Sequence, residues 1–171
     1  LYPKVGPREM ERIVDAAVSG KILTDLLCVD PHTDSPVQRQ EDVPFSRKQR
    51  RSVLAGNEKV DPTRIYNYIQ QGGYEAIVQV LTGRTPTWVI AEVKESGLRG
   101  RGGGGFPTGL KWAMLAEQPN DRGKFIVCNA DEGDPGAYMD RSILEGNPHS
   151  IVLTSSLLGV VNGATEGIVY V

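Results

Sequence analysis

The 171 residues carry 19 basic and 21 acidic side chains, a formal net charge of −2, with 39% hydrophobic and 23% charged residues. Those values fit a globular domain, or one domain with a piece of a neighbour, and give no overall attraction to nucleic acid or anionic lipid. No apolar run is long enough for a membrane helix, and the opening Leu1-Tyr2-Pro3-Lys4 has no secretory pattern, which suggests a start inside a longer chain.

Met10, Ile13, Val14, Ala17 and Val18 recur at helical spacing, so Pro7 to Ser19 is expected to be an amphipathic helix stopped by Gly20. A short apolar group, Ile22 to Cys28, follows. Residues 29–49 are polar and interrupted by prolines, as expected of a connecting arm with little core of its own. The basic run Arg47-Lys-Gln-Arg-Arg51 lacks interleaved aromatics and reads as a solvated face. Asp61-Pro62 is a helix-start signal and Gly72-Gly73 a stop; a short helix from Tyr74 to Leu81 should follow. Thr85-Pro86 repeats the start signal for a helix through Val93 toward Gly97.

Gly97-Leu-Arg-Gly-Arg-Gly-Gly-Gly-Gly-Phe-Pro-Thr-Gly109 holds seven of the chain's 20 glycines. Leu110 to Glu117 can form a helix beginning near Thr108. Phe125 to Cys128 reads as a buried strand that runs into the acidic loop Asn129-Ala-Asp-Glu-Gly-Asp-Pro-Gly136. Helices over Met139 to Leu144 and Ser150 to Val161, then a strand Gly167 to Val171, complete a β-α-β unit and favour a parallel sheet.

Glycines let a backbone take positive φ and approach a ligand, and successive N–H groups then form a concavity for phosphate oxygens. Arg99, Arg101 and Lys111 add local positive charge, and the following helix its positive end. Gly100 to Gly105 matches G-x-G-x-x-G formally, but a dinucleotide fingerprint needs a strand before the loop, and Pro86 to Ser96 is helical in period. A P-loop fails as well, because Leu110-Lys111 follows Gly109 and no Ser or Thr is placed for magnesium. The alternative of a flexible linker is disfavoured by Phe106-Pro107 and Lys111-Trp112. Asn129, Asp131, Glu132 and Asp134 lack a matching His for a metal; they can instead accept from a ribityl chain or ribose. Cys28 and Cys128 belong to no metal-ligand spacing and are expected to be buried free thiols of a reducing compartment.

Ser96 to Trp112 together with Cys128 to Gly136 resembles the family of flavin-carrying, NADH-binding subunits of respiratory complex I, which includes flavin subunits of NAD(P)-linked hydrogenases and formate dehydrogenases. The likeness extends through Asp140 to Glu145 and Pro148-His149, covers roughly 44–171, and leans toward the hydrogenase and formate dehydrogenase branch. It implies an α/β fold: a partial FMN-binding Rossmann-like domain with parallel strands, preceded by a helical arm and the tail of a thioredoxin-like ferredoxin domain. The implied boundaries are 1–28 for that tail, 29–60 for the arm and 61–171 for the amino-terminal half of the FMN/NADH domain.

The resemblance places FMN on Gly100, Arg101, Gly102, Gly103 and Lys111, with Asn129, Asp131 and Glu132 lining the rest of its site. Phe106 would stack on the dinucleotide and Asp134 would face the adenosine ribose, where the respiratory branch usually has Glu. Met114 stands where many members have a second stacking Phe, and Gly104 where most have Ala. The implied activity is hydride transfer between NAD(P)H and FMN, then single-electron delivery to iron–sulfur clusters held outside this chain by a multi-subunit redox complex. No residue is expected to act as an acid–base catalyst. The implied setting is cytoplasmic, or peripheral on the cytoplasmic face of a membrane complex. Two other functions fit the residues: a non-catalytic nucleotide-binding or assembly module, and a phosphate-anchored enzyme for another nucleotide.

Overall fold

The computed structural model describes residues 1–171, which divide into two compact units, Leu1–Arg51 and Ser52–Val171. In the first, α1 (Pro7–Val18) begins with a capping box: the Gly6 N–H donates to Glu9 Oε2 at 2.9 Å and the Glu9 N–H to the Gly6 carbonyl at 3.1 Å. Ser19 then closes the helix and Gly20 turns away at φ 65°. Only Ala16 of α1 is buried; Met10, Val14 and Val18 of the expected apolar stripe remain exposed. The polar stretch after Cys28 folds into a small antiparallel hairpin, β1 (Cys28–Val29) with β2 (Pro36–Val37). Asp30 organises its turn, accepting the His32 N–H at its carboxylate (2.8 Å) and the Asp34 N–H at its carbonyl (2.9 Å). A four-residue helix, α2 (Pro44–Arg47), follows, and Arg47, Lys48, Arg50 and Arg51 are exposed.

In the second unit, Asp61-Pro62 does not start a helix. The Asp61 carboxylate accepts from the Thr63 N–H and hydroxyl at 2.9 and 2.7 Å and closes one turn, but Arg64 is extended (φ −127°, ψ 100°), so α3 (Ile65–Gln70) begins only after it. Tyr74, at φ 68°, joins α3 to α4 (Glu75–Gly83). The next start signal works as expected: Thr85 accepts the Trp88 N–H at 3.2 Å, with Pro86 the first residue of α5 (Pro86–Glu95).

Helix α5 crosses α6 (Thr108–Glu117), and both pack on α8 (Pro148–Asn162) around Val89, Ile90, Trp112, Ala113 and Val161. The α5–α6 crossing is close at Gly109, where an added Cβ would lie 2.5 Å from the Lys94 backbone nitrogen. Beyond α6, Lys124 is buried and donates to the Ala116 carbonyl at 3.2 Å, satisfying an end group of that helix.

Strands β3 (Phe125–Asn129) and β4 (Glu166–Tyr170) are parallel, Ile126 opposite Gly167 and Cys128 opposite Val169. Between them run α7 (Met139–Gly146) and α8, which ends on Gly163 at φ 69°. The β-α-β unit is therefore present, and the segment before the glycine loop is helical. The expectation that Phe125 to Cys128 is a buried strand is corrected, since one face only is covered: Ile126 is 5% exposed, but Val127 is 61% exposed. Alternate side chains point to opposite faces, and α8 packs on β3 and β4 with Ile126 in contact beneath it. The same geometry corrects the expectation for Cys128, which lies on the face of Ile126 but near the strand end and is half-buried; Cys28 is half-buried too, in a two-residue strand. Both are free thiols, and burial followed by the nearby Asp140 charge pushes the Cys128 thiol pKa up.

Candidate functional site

The glycine segment is a loop with pinned ends. The Gly100 N–H donates to the Phe106 carbonyl at 2.9 Å, the Thr108 N–H to the Leu98 carbonyl at 2.9 Å, and Arg99 Nε to the Gly105 carbonyl at 2.6 Å. Between these ties the N–H groups of residues 101–105 donate to no protein acceptor. Gly103, at φ 106°, requires a conformation that L side chains rarely take, and nothing lies within 4 Å of a Cβ built at Gly102, Gly103 or Gly104. The crest is thus a row of unpaired donors open to solvent, with Arg101 exposed on it.

Behind the crest is a cavity of about 390 Å³ whose walls include Gly100, Phe106, Thr108, Lys111, Trp112 and Phe125. Helix α6 presents Lys111 to it and seats the neighbouring Trp112 in the core, so one turn of helix joins a cation to a fixed hydrophobic anchor. Phe106 is half-exposed at the rim. Gly100 and Lys111, expected at the flavin, and Phe106, expected at the dinucleotide, line this one recess. Trp112, Thr108 and Phe125 join them unforeseen. Lys-Trp adjacency in a helix was the available signal for Trp112, whereas Phe125 was expected to be covered.

The acidic loop lies at the carboxyl ends of β3 and β4, where open α/β sheets place ligand groups. Asn129 Oδ1 accepts the Asp131 N–H at 3.1 Å. Glu132 is spent on the fold, because its carboxylate accepts the N–H groups of Met139, Asp140 and Arg141 at 2.7, 3.1 and 3.2 Å and so caps α7. Partial desolvation acts to raise its pKa, but those three donors outweigh it and hold the carboxyl below its ordinary value. Asp131, Glu132 and Asp134 line a second cavity, about 660 Å³, with Tyr138, Arg141 and Glu145, none of which was singled out as a site residue. Met114 is exposed and lines neither cavity.

Residues 93–171 match the family model described as the Nuo51 FMN-binding domain. The chain is 50% identical over 125 residues to the NADP-reducing hydrogenase subunit HndC of Solidesulfovibrio fructosivorans, an alignment covering 73% of this chain and 25% of that protein. It is 42% identical over 120 residues to the second F-type NADH-quinone oxidoreductase subunit of Rhizobium meliloti (strain 1021), covering 70% and 28%. The chain thus spans about a quarter of the length of these curated relatives. Among solved structures, an NAD+-reducing [NiFe]-hydrogenase in the air-oxidized state superposes with a TM-score of 0.54 at 24% identity, over 99% of this chain and 26% of that one. That likeness concerns the fold, an α/β arrangement with a parallel strand pair. No helix of the chain is long and apolar enough to cross a membrane.

Within the segment that this family model matches, the loop and its cavity suit a flavin nucleotide in kind: unpaired N–H donors and cations for a phosphate, next to a largely apolar recess for a ring.

Proposed function

We propose that this chain is part of the flavin subunit of an NAD(P)H-linked oxidoreductase, which moves a hydride between NAD(P)H and FMN and passes single electrons to iron–sulfur clusters of a hydrogenase, formate dehydrogenase or complex I-like assembly. The observation that carries the proposal is the crest of unpaired N–H groups at residues 101–105, whose flanking Gly100 and Phe106 line one recess with Lys111, within the segment that matches the FMN-binding family model. Gly100, Arg101, Gly102, Gly103 and Lys111 hold the flavin phosphate, and the loop needs glycine because the phosphate must come against backbone. Phe106 gives a stacking face at the rim, and Thr108 and Phe125 help to keep water from the recess. Asn129 and Asp131 accept hydroxyl hydrogens, Glu132 fixes the loop by capping α7, and Asp134 faces the adenosine ribose. FMN, when bound, supplies the conversion between two-electron and one-electron chemistry; the chain's own groups bind, orient and tune.

The test is flavin retention by the full-length protein. Wild-type protein should keep stoichiometric FMN through dialysis and reduce an artificial one-electron acceptor with NADH or NADPH. Lys111→Ala should weaken FMN by about 1.5–3 kcal/mol, the range for a charge-assisted hydrogen bond, with the far-UV spectrum unchanged. Full flavin content in the variant would remove Lys111 from the phosphate site, and a flavin-free wild-type protein would overturn the function.

A further inference from the structure

The acidic cavity contains a cation that has no part in the proposed function. Four carboxylates, Asp131, Glu132, Asp134 and Glu145, share its lining with one basic residue, Arg141. Two of the four are committed, Glu132 to the first turn of α7 and Glu145 to Arg141, whose Nε donates to Glu145 Oε1 at 2.9 Å. Asp131 and Asp134 remain exposed. A wall with this balance accepts the hydroxyl hydrogens of a ribose and repels a dianion, unless the dianion reaches the guanidinium.

Arg141 is placed for that. Its backbone N–H is tied to Glu132 Oε2 at 3.2 Å, so the helix that presents it is anchored to the same loop that carries Asp134. Its side chain is held only by a pair one helical turn away, both members 65% exposed. Such solvent-exposed pairs are weak, and a ligand phosphate can displace Glu145 readily. The guanidinium offers a planar fork that matches phosphate oxygens two at a time, which a carboxylate-lined wall otherwise cannot do.

Building on the proposed function, we propose that Arg141 is a second specificity-determining residue for the nucleotide: it receives the 2′-phosphate of NADPH by exchanging Glu145 for the ligand, in opposition to Asp134. Nucleotide choice is then a contest within one cavity. Asp134 favours the 2′-hydroxyl, Arg141 permits the 2′-phosphate, and Glu145 limits how often Arg141 is available.

The experiment uses the FMN-loaded full-length protein, with kcat/KM for NADH and NADPH in acceptor reduction, and inhibition by 2′,5′-ADP and by 5′-AMP. Arg141→Gln should lower kcat/KM for NADPH about tenfold and leave NADH within about twofold. Inhibition by 2′,5′-ADP should weaken in parallel, while that by 5′-AMP stays. Glu145→Gln should move the NADPH to NADH ratio the other way, and Arg141→Lys should fall between wild type and Arg141→Gln, since it keeps the charge without the fork. Equal losses with both nucleotides, or no change in the 2′,5′-ADP inhibition, would overturn the proposal by showing that Arg141 serves a shared group or only the helix. A wild-type protein that holds FMN but is reduced by neither nucleotide would instead refute the oxidoreductase function, and the role of Arg141 with it.

Discussion

Replacing Gly109 by alanine sets two effects of known sign against each other. An alanine gains up to about 1 kcal/mol over glycine in a helix, and less in a first turn such as this one. Against that, its Cβ would meet the Lys94 backbone nitrogen at 2.5 Å, the Lys94 Cα at 2.6 Å and Cγ at 2.7 Å. Two of those atoms belong to the backbone of α5, so no rotamer change relieves the overlap and the helices must separate by roughly an ångström, an overpacking cost of about 1–3 kcal/mol. The expected balance is a loss of about 1–2 kcal/mol, which at a urea slope of ~2 kcal/mol/M moves the midpoint down by about 0.5–1 M. The internal control is Gly104→Ala, whose Cβ meets nothing within 4 Å and whose φ lies outside the glycine-only region. It should be neutral or more stable by up to ~1 kcal/mol through the unfolded chain. Urea unfolding followed by tryptophan emission reads both, because Trp112 sits in the core beside the crossing. A Gly109→Ala chain with the wild-type midpoint would refute the close α5–α6 approach, and with it the reason that Lys111 is held at a fixed distance from the loop.

Trp112→Ala should cost about 3–5 kcal/mol, since it removes the largest side chain of the core cluster, and thermal unfolding of the purified chain checks it. Glu132 makes a pH prediction: its folded pKa lies below the ordinary 4.5, so its contribution is complete above that value and is lost as pH falls through the folded one. Wild-type stability should therefore decline below about pH 4.5 more steeply than that of Glu132→Gln, as denaturant midpoints from about pH 6 to about pH 3 would reveal. Asp134→Asn in the full-length protein should raise the NADPH to NADH ratio of kcat/KM by roughly tenfold, about 1.4 kcal/mol, and the difference should shrink with added salt; an unchanged ratio would mean that Asp134 does not read the ribose.

Much of the second unit was legible because its signals are local. Thr85-Pro86 caps α5 through a hydrogen bond three residues long, and the apolar spacing of α8 and the run at Phe125 need no distant partner to be read. Asp61-Pro62 carried the same local signal and closed only a single turn, because Arg64 takes an extended conformation (φ −127°, ψ 100°) and the helix starts after it. Burial was less legible, since an apolar run such as Phe125 to Cys128 does not state how many of its faces another element covers.

The acidic loop shows why site residues are harder to assign than site segments. Asn129, Asp131, Glu132 and Asp134 look alike in sequence as oxygen donors, yet the chain has already used some of that capacity for itself. Glu132 is consumed by three N–H groups at the start of α7, and Asn129 gives one oxygen to the turn. A helix must begin somewhere after a strand-end loop, and its unpaired N–H groups will take the nearest carboxylate unless a ligand does. That requirement depends on where α7 starts, which the residues around Met139 indicate only loosely. Its consequence is that Asp134, two residues on and exposed, remains available to a ligand, while the capping of α7 fixes the helix on which Arg141 stands. One of these look-alike oxygen donors thus serves the fold, and by capping α7 it sets Arg141 on the wall that Asp134 also lines.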